Sequence, residues 1–208
     1  MYLSRLTLNS SRMAVLWISN PYRIHQRLRM TCKDDPHLLF RLEENAQGGY
    51  QILVQTQNEP DWKKAFDDFP VLLRPPECKP FIPQLKAGCS YRFRLLANPT
   101  VKKTFDCDGE LKKARLGLLN EEAQQDWLQR KIIAAGSKVL ASRTLPRGFQ
   151  HSRKNPAKDE NHQTHLAVLF EGVLHVNDAS QLQAALEIGI GSAKGFGFGL
   201  LSLAPARG

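Results

Sequence analysis

Hydrophobic and polar residues alternate along several short stretches of the chain. A period of two is typical of β-strands that bury one face, and it covers residues 2–8 and 90–96. Further strands are predicted over residues 38–42, 50–55, 138–143 and 165–176. A Glu-Asn-Ala-Gln-Gly-Gly turn joins residues 38–42 and 50–55 into a predicted hairpin. Residues 196–203 alternate phenylalanine with glycine before an apolar run, and we expect a final strand there.

Helical patterns with a period near 3.6 separate these strands. Helices are predicted over residues 21–30, 61–66, 120–136 and 178–189. The first is marked by Asn20, a good N-cap residue, and by Pro21 at the first helical position. Its buried face is expected to carry Ile24 and Leu28.

The order strand, helix, strand, strand, helix, strand therefore occurs twice. The fourth strand of the first copy is expected near Val71 or after Lys79, in an extended, proline-rich segment. This order is that of the split βαββαβ unit. The sequence thus predicts an α+β protein made of tandem ferredoxin-like (RRM-like βαββαβ) domains, one over residues 1–87 and the other over residues 88–208.

Composition and charge narrow the class of partner. The chain has 208 residues, 42% of them hydrophobic, and a formal net charge of +9. Such a charge favours a polyanionic partner, because a basic surface attracts phosphate backbones and anionic membranes alike. No apolar run approaches the roughly 18 residues of a membrane span, and the start lacks the apolar block of a signal peptide. We expect a cytoplasmic protein that does not bind membranes.

Metal ligands are not apparent in the sequence. Its four cysteines are widely and irregularly spaced and are interpreted as reduced thiols: Cys32, Cys78, Cys89 and Cys107. His162 and His165 lie three residues apart without further ligands nearby, so we expect surface residues there. No metal site and no cofactor is predicted.

A glycine-rich loop near the end of the chain is the most unusual local feature. Residues 189–199 contain five glycines and one lysine, a composition that suits a loop whose backbone contacts an anion. Gly191, Lys194 and Gly195 are its candidate ligand-binding residues. The spacing fits neither a P-loop nor a dinucleotide fingerprint. The alternative is a helix C-cap at Gly189 followed by a glycine-weakened edge strand.

Candidate acid and base groups occur on the first predicted helix. Tyr22, His25 and Arg29 fall along the border of its apolar face, where a core helix meets solvent. Their side chains suit proton transfer next to a phosphate. Ordinary boundary residues of a half-buried helix are the alternative.

Most of the net positive charge lies in one region. Residues 101–158 hold thirteen Lys or Arg against six Asp or Glu. Four clusters and the arginines of the first helix are predicted to line a groove between the domains that follows the phosphate backbone of a nucleic acid: Lys102, Lys103, Lys112, Lys113, Arg115, Arg130, Lys131, Arg153, Lys154, Arg23, Arg27 and Arg29. Solvated, charged loops are the alternative for any one cluster.

Six parts of the chain, in order from end to end, also carry a resemblance: Tyr2-Leu-Ser-Arg-Leu, Asn20-Pro-Tyr-Arg-Ile-His-Gln-Arg-Leu28, Tyr91-Arg-Phe-Arg-Leu-Leu-Ala-Asn-Pro99, Asp126-Trp-Leu-Gln-Arg130, Leu169-Phe-Glu-Gly-Val-Leu174, and Gly189-Ile-Gly-Ser-Ala-Lys-Gly with Gly199-Leu-Leu-Ser-Leu-Ala-Pro205. These segments resemble the CasE family, the CRISPR repeat-processing endoribonucleases of the Cascade surveillance complex. The resemblance covers nearly the whole chain.

The resemblance implies both an activity and partners. A member of this family binds the hairpin of a CRISPR repeat RNA and cuts the precursor at the 3′ base of the stem without a metal. It stays bound to the mature CRISPR RNA and joins the other Cascade subunits through it, and we expect a monomer in isolation. The Tyr-x-x-His pattern implies His25 as the catalytic histidine and Tyr22 as its assistant. Met30 stands where some relatives carry a polar or basic residue.

Metal-free RNA cleavage uses the 2′-OH as an internal nucleophile, so a DNA strand is expected to bind without being cut. Histidine titrates near neutrality and suits either of the two proton transfers. The alternative function is that of a ferredoxin-like RNA-binding subunit without catalysis, in which His25 is only a boundary residue.

Overall fold

The computed structural model describes residues 1–32, 35–107, 110–153 and 162–206. The first half contains β1 (Tyr2–Thr7), α1 (Arg12–Ile18), α2 (Pro21–Arg29), β2 (Leu39–Glu44), β3 (Tyr50–Thr56), α3 (Lys63–Phe66) and β4 (Glu77–Pro80). Its strands form one antiparallel sheet in the order β2-β3-β1-β4. Ile24 and Leu28 of α2 are buried against this sheet, as predicted.

The second half repeats this arrangement with an insertion. It contains β5 (Ser90–Ala97), β6 (Thr100–Cys107), β7 (Glu110–Gly117), α4 (Glu121–Ala134), β8 (Ser137–Arg153), β9 (His162–Val176), α5 (Ala179–Ile188), a 3₁₀ turn (Lys194–Phe196) and β10 (Leu201–Pro205). The sheet order β10-β5-β9-β8 corresponds strand for strand to that of the first half. Tandem ferredoxin-like domains are therefore confirmed.

Several elements differ from the predicted ones. Helix α1 and the separate β6–β7 ribbon were not expected, and β8 and β9 form a longer hairpin than the predicted strands 138–143 and 165–176. The fourth strand is β4, close to the second predicted place, whereas Leu72 makes only an isolated bridge with Leu8.

The final strand begins at Leu201 and not at residue 196, so this prediction was wrong. Gly197 and Gly199 adopt φ of +87° and +90°, which an extended strand excludes. Phe198 between them is completely buried. Phe198 is therefore apolar because it lies in the core, and not because it belongs to the alternating pattern of a strand.

The two domains are joined by buried hydrogen bonds. Arg41 on β2 is 2% exposed, and its guanidinium donates to the Leu200 carbonyl at 2.9 Å and to Ser202 Oγ at 2.8 Å. Its Nε donates to Glu43 Oε1 at 2.8 Å, and this pairing opposes the lowering of the Arg41 pKa by burial. These contacts tie β2 to the start of β10.

The chain crosses from the first sheet to the second between Pro80 and Ser90. The predicted boundary between residues 87 and 88 lies in this connection and stays a prediction. No helix in the described ranges is both long and apolar enough to cross a membrane. Cys32, Cys78 and Cys89 are free thiols, whereas the side chain of Cys107 lies outside the described part.

Candidate active site

Helix α2 holds the predicted catalytic pair in place. The Asn20 side chain caps it by accepting from the Tyr22 N–H at 3.2 Å. The same side chain donates to the Arg153 carbonyl at 2.9 Å, which fixes the start of α2 to β8 of the other domain. Because Tyr22 and His25 are three residues apart, they lie on adjacent turns of one side of the helix.

His25 is half-buried between β2 and the glycine-rich loop. Its imidazole stacks on Phe40, with ring centroids 6.3 Å apart and planes 20° from parallel. On the loop side, a Cβ added to Gly195 would lie 3.5 Å from His25 Nε2, so the Gly195 backbone is next to the ring. Nδ1 is buried and has no hydrogen-bond partner among the described residues.

The environment of His25 favours its neutral form. Burial is the main cause that lowers its pKa below the usual value of 6.5, and the nearby guanidinium of Arg29 lowers it further. A neutral imidazole at neutral pH is able to accept a proton. The arrangement therefore suits a general base, and the imidazolium it forms could return the proton to a leaving group.

The glycine-rich loop of the C-terminal domain is closed at its base by a backbone hydrogen bond, and it extends to α2. The Ile190 N–H donates to the Gly199 carbonyl at 2.9 Å and closes its base, and the Gly199 N–H donates to the Leu96 carbonyl of β5 at 2.8 Å. At its tip, the Phe196 carbonyl accepts from Gln150 Nε2 at 2.9 Å. The loop thus presents its 3₁₀ turn to His25 from a fixed position.

Two lysines from different elements meet at this loop. Burial lowers the pKa of Lys194, and Lys131 on α4 lowers it further. Lys131 also lies over the ring of Trp127, 5.9 Å from its centroid. A phosphate placed here would relieve the repulsion between the two ammonium groups.

The three arginines of α2 have different surroundings. Arg23 is exposed. Arg27 donates to Asp68 Oδ1 at 3.0 Å and lies 4.3 Å from the centre of the Phe69 ring, so it is engaged within its own domain. Arg29 donates to the Asp35 carbonyl and thereby holds the chain that follows the helix.

The β6–β7 ribbon carries five of the predicted RNA-binding residues, all of them exposed. Its register places Lys102 opposite Arg115 and Thr104 opposite Lys113, so three cations share one face. Lys103 and Lys112 belong to the other face. The ribbon therefore carries exposed cations on both faces, three on one and two on the other.

The remaining basic candidates lie on other elements. Arg130 and Lys131 are exposed on α4, and Arg153 is exposed at the end of β8. Lys154 lies outside the described residues. In the described part, no three His, Cys, Asp or Glu side chains are close enough to hold a metal ion.

Several residues near the site were not indicated by the sequence. Phe40 and Phe196 contact the candidate catalytic side chains, and an apolar residue in a strand or loop gives no signal of such a role.

His162 is exposed as expected, but His165 is half-buried against the loop, so the surface prediction was wrong for it. A cleft of about 800 Å³ between the domains is lined in part by Phe40 and Phe149.

Fold and site together define a class of protein: a tandem ferredoxin-like protein with a histidine and a tyrosine held against a glycine-rich loop and with exposed basic side chains on several elements. The family model described as "CRISPR associated protein" matches residues 1–205. The chain belongs to this family.

Individual relatives agree over the full length. The CRISPR-associated endoribonuclease Cse3 of Thermus thermophilus is 36% identical, with 99% of this chain and 100% of the relative covered. The Cascade subunit CasE of Escherichia coli is 34% identical, with the same coverage. A solved structure of Thermus thermophilus Cse3 bound to an RNA representing a pre-cleavage complex has a TM-score of 0.82 at 34% identity, covering 98% of both chains. The resemblance to the CasE family is confirmed.

Proposed function

We propose that this protein is a CRISPR RNA endoribonuclease that binds the repeat hairpin, cuts the precursor at the 3′ base of the stem and remains bound to the mature CRISPR RNA within Cascade. The observation that carries the proposal is the packing of His25 against Gly195. It places a neutral imidazole beside the backbone of a loop with a lysine, in a chain whose relatives are named as endoribonucleases.

The reaction begins with the 2′-OH of the nucleotide before the scissile bond. Its oxygen attacks the adjacent phosphorus and loses a proton, while the 5′ oxygen of the next nucleotide leaves and gains one. The products are a 2′,3′-cyclic phosphate and a 5′-OH end. The protein has to hold the 2′-OH in line with the leaving oxygen and stabilise the extra negative charge.

His25 performs one of the two proton transfers, and Tyr22 on the preceding turn helps to position the phosphate. Lys194 supplies positive charge beside them. Because the nucleophile belongs to the RNA and the proton carrier is an imidazole, the proposed reaction needs no metal ion and no cofactor. A positioned acid or base of this kind contributes about 10²–10⁴ in rate.

RNA affinity comes from cations spread over both domains. The exposed cations of the β6–β7 ribbon, the arginine and lysine at positions 130 and 131 and the end of β8 at Arg153 provide phosphate contacts. Arg23 and Lys194 add contacts beside the site. Such dispersed charge binds a phosphate backbone by releasing its counterions.

The proposal also includes the assembly and its place in the cell. Other Cascade subunits are the protein partners, since a relative is a Cascade subunit. We place the protein in the cytoplasm as a monomer when isolated, with its domain boundary between residues 87 and 88.

The proposal is tested by incubating the purified protein with the repeat RNA of its own organism in excess EDTA. We expect one cut at the 3′ base of the stem and a downstream fragment with a 5′-OH, which polynucleotide kinase labels without prior phosphatase treatment. Strict dependence on Mg²⁺ would contradict the proposed chemistry. Tight binding without any cut, with or without Mg²⁺, would favour the non-catalytic RNA-binding subunit.

A further inference from the structure

His165 on β9 contacts the glycine-rich loop, which α2 also contacts. Its ring centroid is 4.5 Å from that of Phe196, at an angle of 46°, and 5.9 Å from that of Phe198. On the α2 side, Tyr22 lies 6.4 Å from the same Phe196 ring. Phe196 is therefore contacted by one aromatic side chain from each domain.

The hydrogen bonding of His165 suits a neutral ring. Asn98 Nδ2 donates to His165 Nδ1 at 3.2 Å, so Nδ1 accepts and the proton of the neutral ring is on Nε2. Burial lowers the pKa of His165, and no charged side chain contributes to this shift. A second proton on Nδ1 would face the amide donor, so the contact requires the neutral ring.

Nε2 of His165 is buried and has no hydrogen-bond partner within the described ranges. A buried donor without an acceptor lowers stability. A phenyl ring would make the same contact with Phe196 without an unpaired Nε2, although it would leave Asn98 Nδ2 without its acceptor. The ring itself, and not its second nitrogen, therefore accounts for the packing at this position.

The position of Phe196 also sets that of its neighbour Gly195. The Phe196 carbonyl is fixed by Gln150, its ring rests on His165, and Gly195 lies against the His25 ring. We propose that His165 is a positioning residue for RNA cleavage, which seats Phe196 and so holds Gly195 against His25. This inference rests on the proposed function.

The test compares three substitutions of His165 with a control on the same strand. His165→Ala removes the ring, His165→Gln keeps an acceptor for Asn98 without the ring, and His165→Phe keeps the ring alone. His175→Ala is the control, because His175 is another half-buried histidine of β9 whose Nδ1 lies 3.4 Å from Ser90 Oγ at the far end of the strand.

The first readout separates rate from affinity. Single-turnover cleavage of the repeat RNA is expected to slow about tenfold in His165→Ala and His165→Gln, which corresponds to about 1.4 kcal/mol. His165→Phe and His175→Ala should stay within about twofold of the wild type, because both keep an aromatic ring at position 165 in contact with Phe196. The Kd for a repeat RNA with a 2′-deoxy group at the cleavage site should change less than about twofold in all four variants.

The second readout is the pH dependence of the rate. The pKa of His25 is low mainly because the ring is buried, so a loosened loop lets water approach and raises that pKa toward 6.5. Arg29 on α2, the cation that lowers the His25 pKa further, is present in every variant, as is Lys194 on the loop. The limb of the pH profile that belongs to His25 should move to higher pH in His165→Ala and His165→Gln only.

The outcomes are distinct from those that test the proposed function. If the wild type does not cut RNA, the proposed function fails before any variant is made. If His165→Ala and His165→Gln cut at the wild-type rate with an unshifted profile, or if His165→Phe is as slow as they are, the positioning role is wrong. Should His165→Ala not fold, His165→Gln decides the question by the same two readouts.

Discussion

Replacing Arg41 with methionine tests whether the two domains are held together by one buried cation. Arg41 has its guanidinium between the domains and donates to Glu43, to the Leu200 carbonyl and to Ser202. Methionine keeps much of the apolar stem and removes all of these donors. Because Leu200 directly follows the glycine-rich loop, the change acts next to the base of that loop.

The size of the effect follows from the groups that lose a partner. The Leu200 carbonyl and the Ser202 hydroxyl lose a charged donor, and an unsatisfied buried group costs about 1–3 kcal/mol. Glu43 keeps Arg94 at 3.3 Å, so its charge is still paired. The two unsatisfied groups together cost about 2–6 kcal/mol. For a chain of this size, about 3 °C per kcal/mol places the Tm roughly 10 °C below that of the wild type.

The assay is thermal unfolding followed by circular dichroism, with Arg74→Met as the matched control. Arg74 pairs with Glu77 at 3.0 Å on the surface, with half of its side chain exposed, and an exposed pair contributes little. We expect the control to unfold close to the wild type. A Tm for Arg41→Met within 2 °C of the control would refute the assignment of a buried interdomain anchor.

Three further predictions concern RNA binding, the loop and pH. Charge reversal at Lys112, Lys113 and Arg115 should weaken RNA binding and flatten its dependence on log[salt] by about 0.7–0.9 per lost phosphate contact; an unchanged slope in filter binding would show that these cations do not contact RNA. Gly199→Ala should lower the cleavage rate at least tenfold in a single-turnover assay. Gly199 has a φ of +90°, and the Cβ of an alanine would lie 2.8 Å from the carbonyl oxygen of Ile190. A wild-type rate would contradict the fixed loop. NMR titration should give His25 a pKa below 6.5, and a midpoint above 6.5 would contradict the buried site. As the pH falls, the unfolded chain therefore binds this proton before the folded protein does. The His25 contribution to stability is complete above about pH 6.5 and declines as the pH falls below that value.

Much of the fold could be predicted because local signals and tertiary packing agree. The cap at Asn20 and the apolar spacing of Ile24 and Leu28 define α2, and both features reappear in the structure. Helix α1 was missed because it has only seven residues and leaves Met13 and Leu16 about half exposed, so no clean apolar stripe marks it. The β6–β7 ribbon was missed because its residues are exposed on both faces, and no alternation therefore distinguishes them.

The candidate site was only partly predictable, since its parts come from opposite ends of the chain. The helix border and the resemblance both indicate His25 and Tyr22. His25 contacts Gly195, and Phe196 contacts both Tyr22 and His165. These contacts depend on how the second domain packs on the first. A periodic pattern carries no information on such a contact.

Cleavage by His25→Ala, measured together with its RNA affinity, tests the central claim most directly. With all-ribose repeat RNA under single-turnover conditions, the variant should cut about 10²–10⁴ times more slowly than the wild type. Its Kd for the same RNA carrying a 2′-deoxy group before the scissile bond, which the wild type should bind and not cut, should stay within a few fold. Cleavage by His25→Ala at the wild-type rate would contradict the account, and loss of affinity and fold together would make His25 a structural residue.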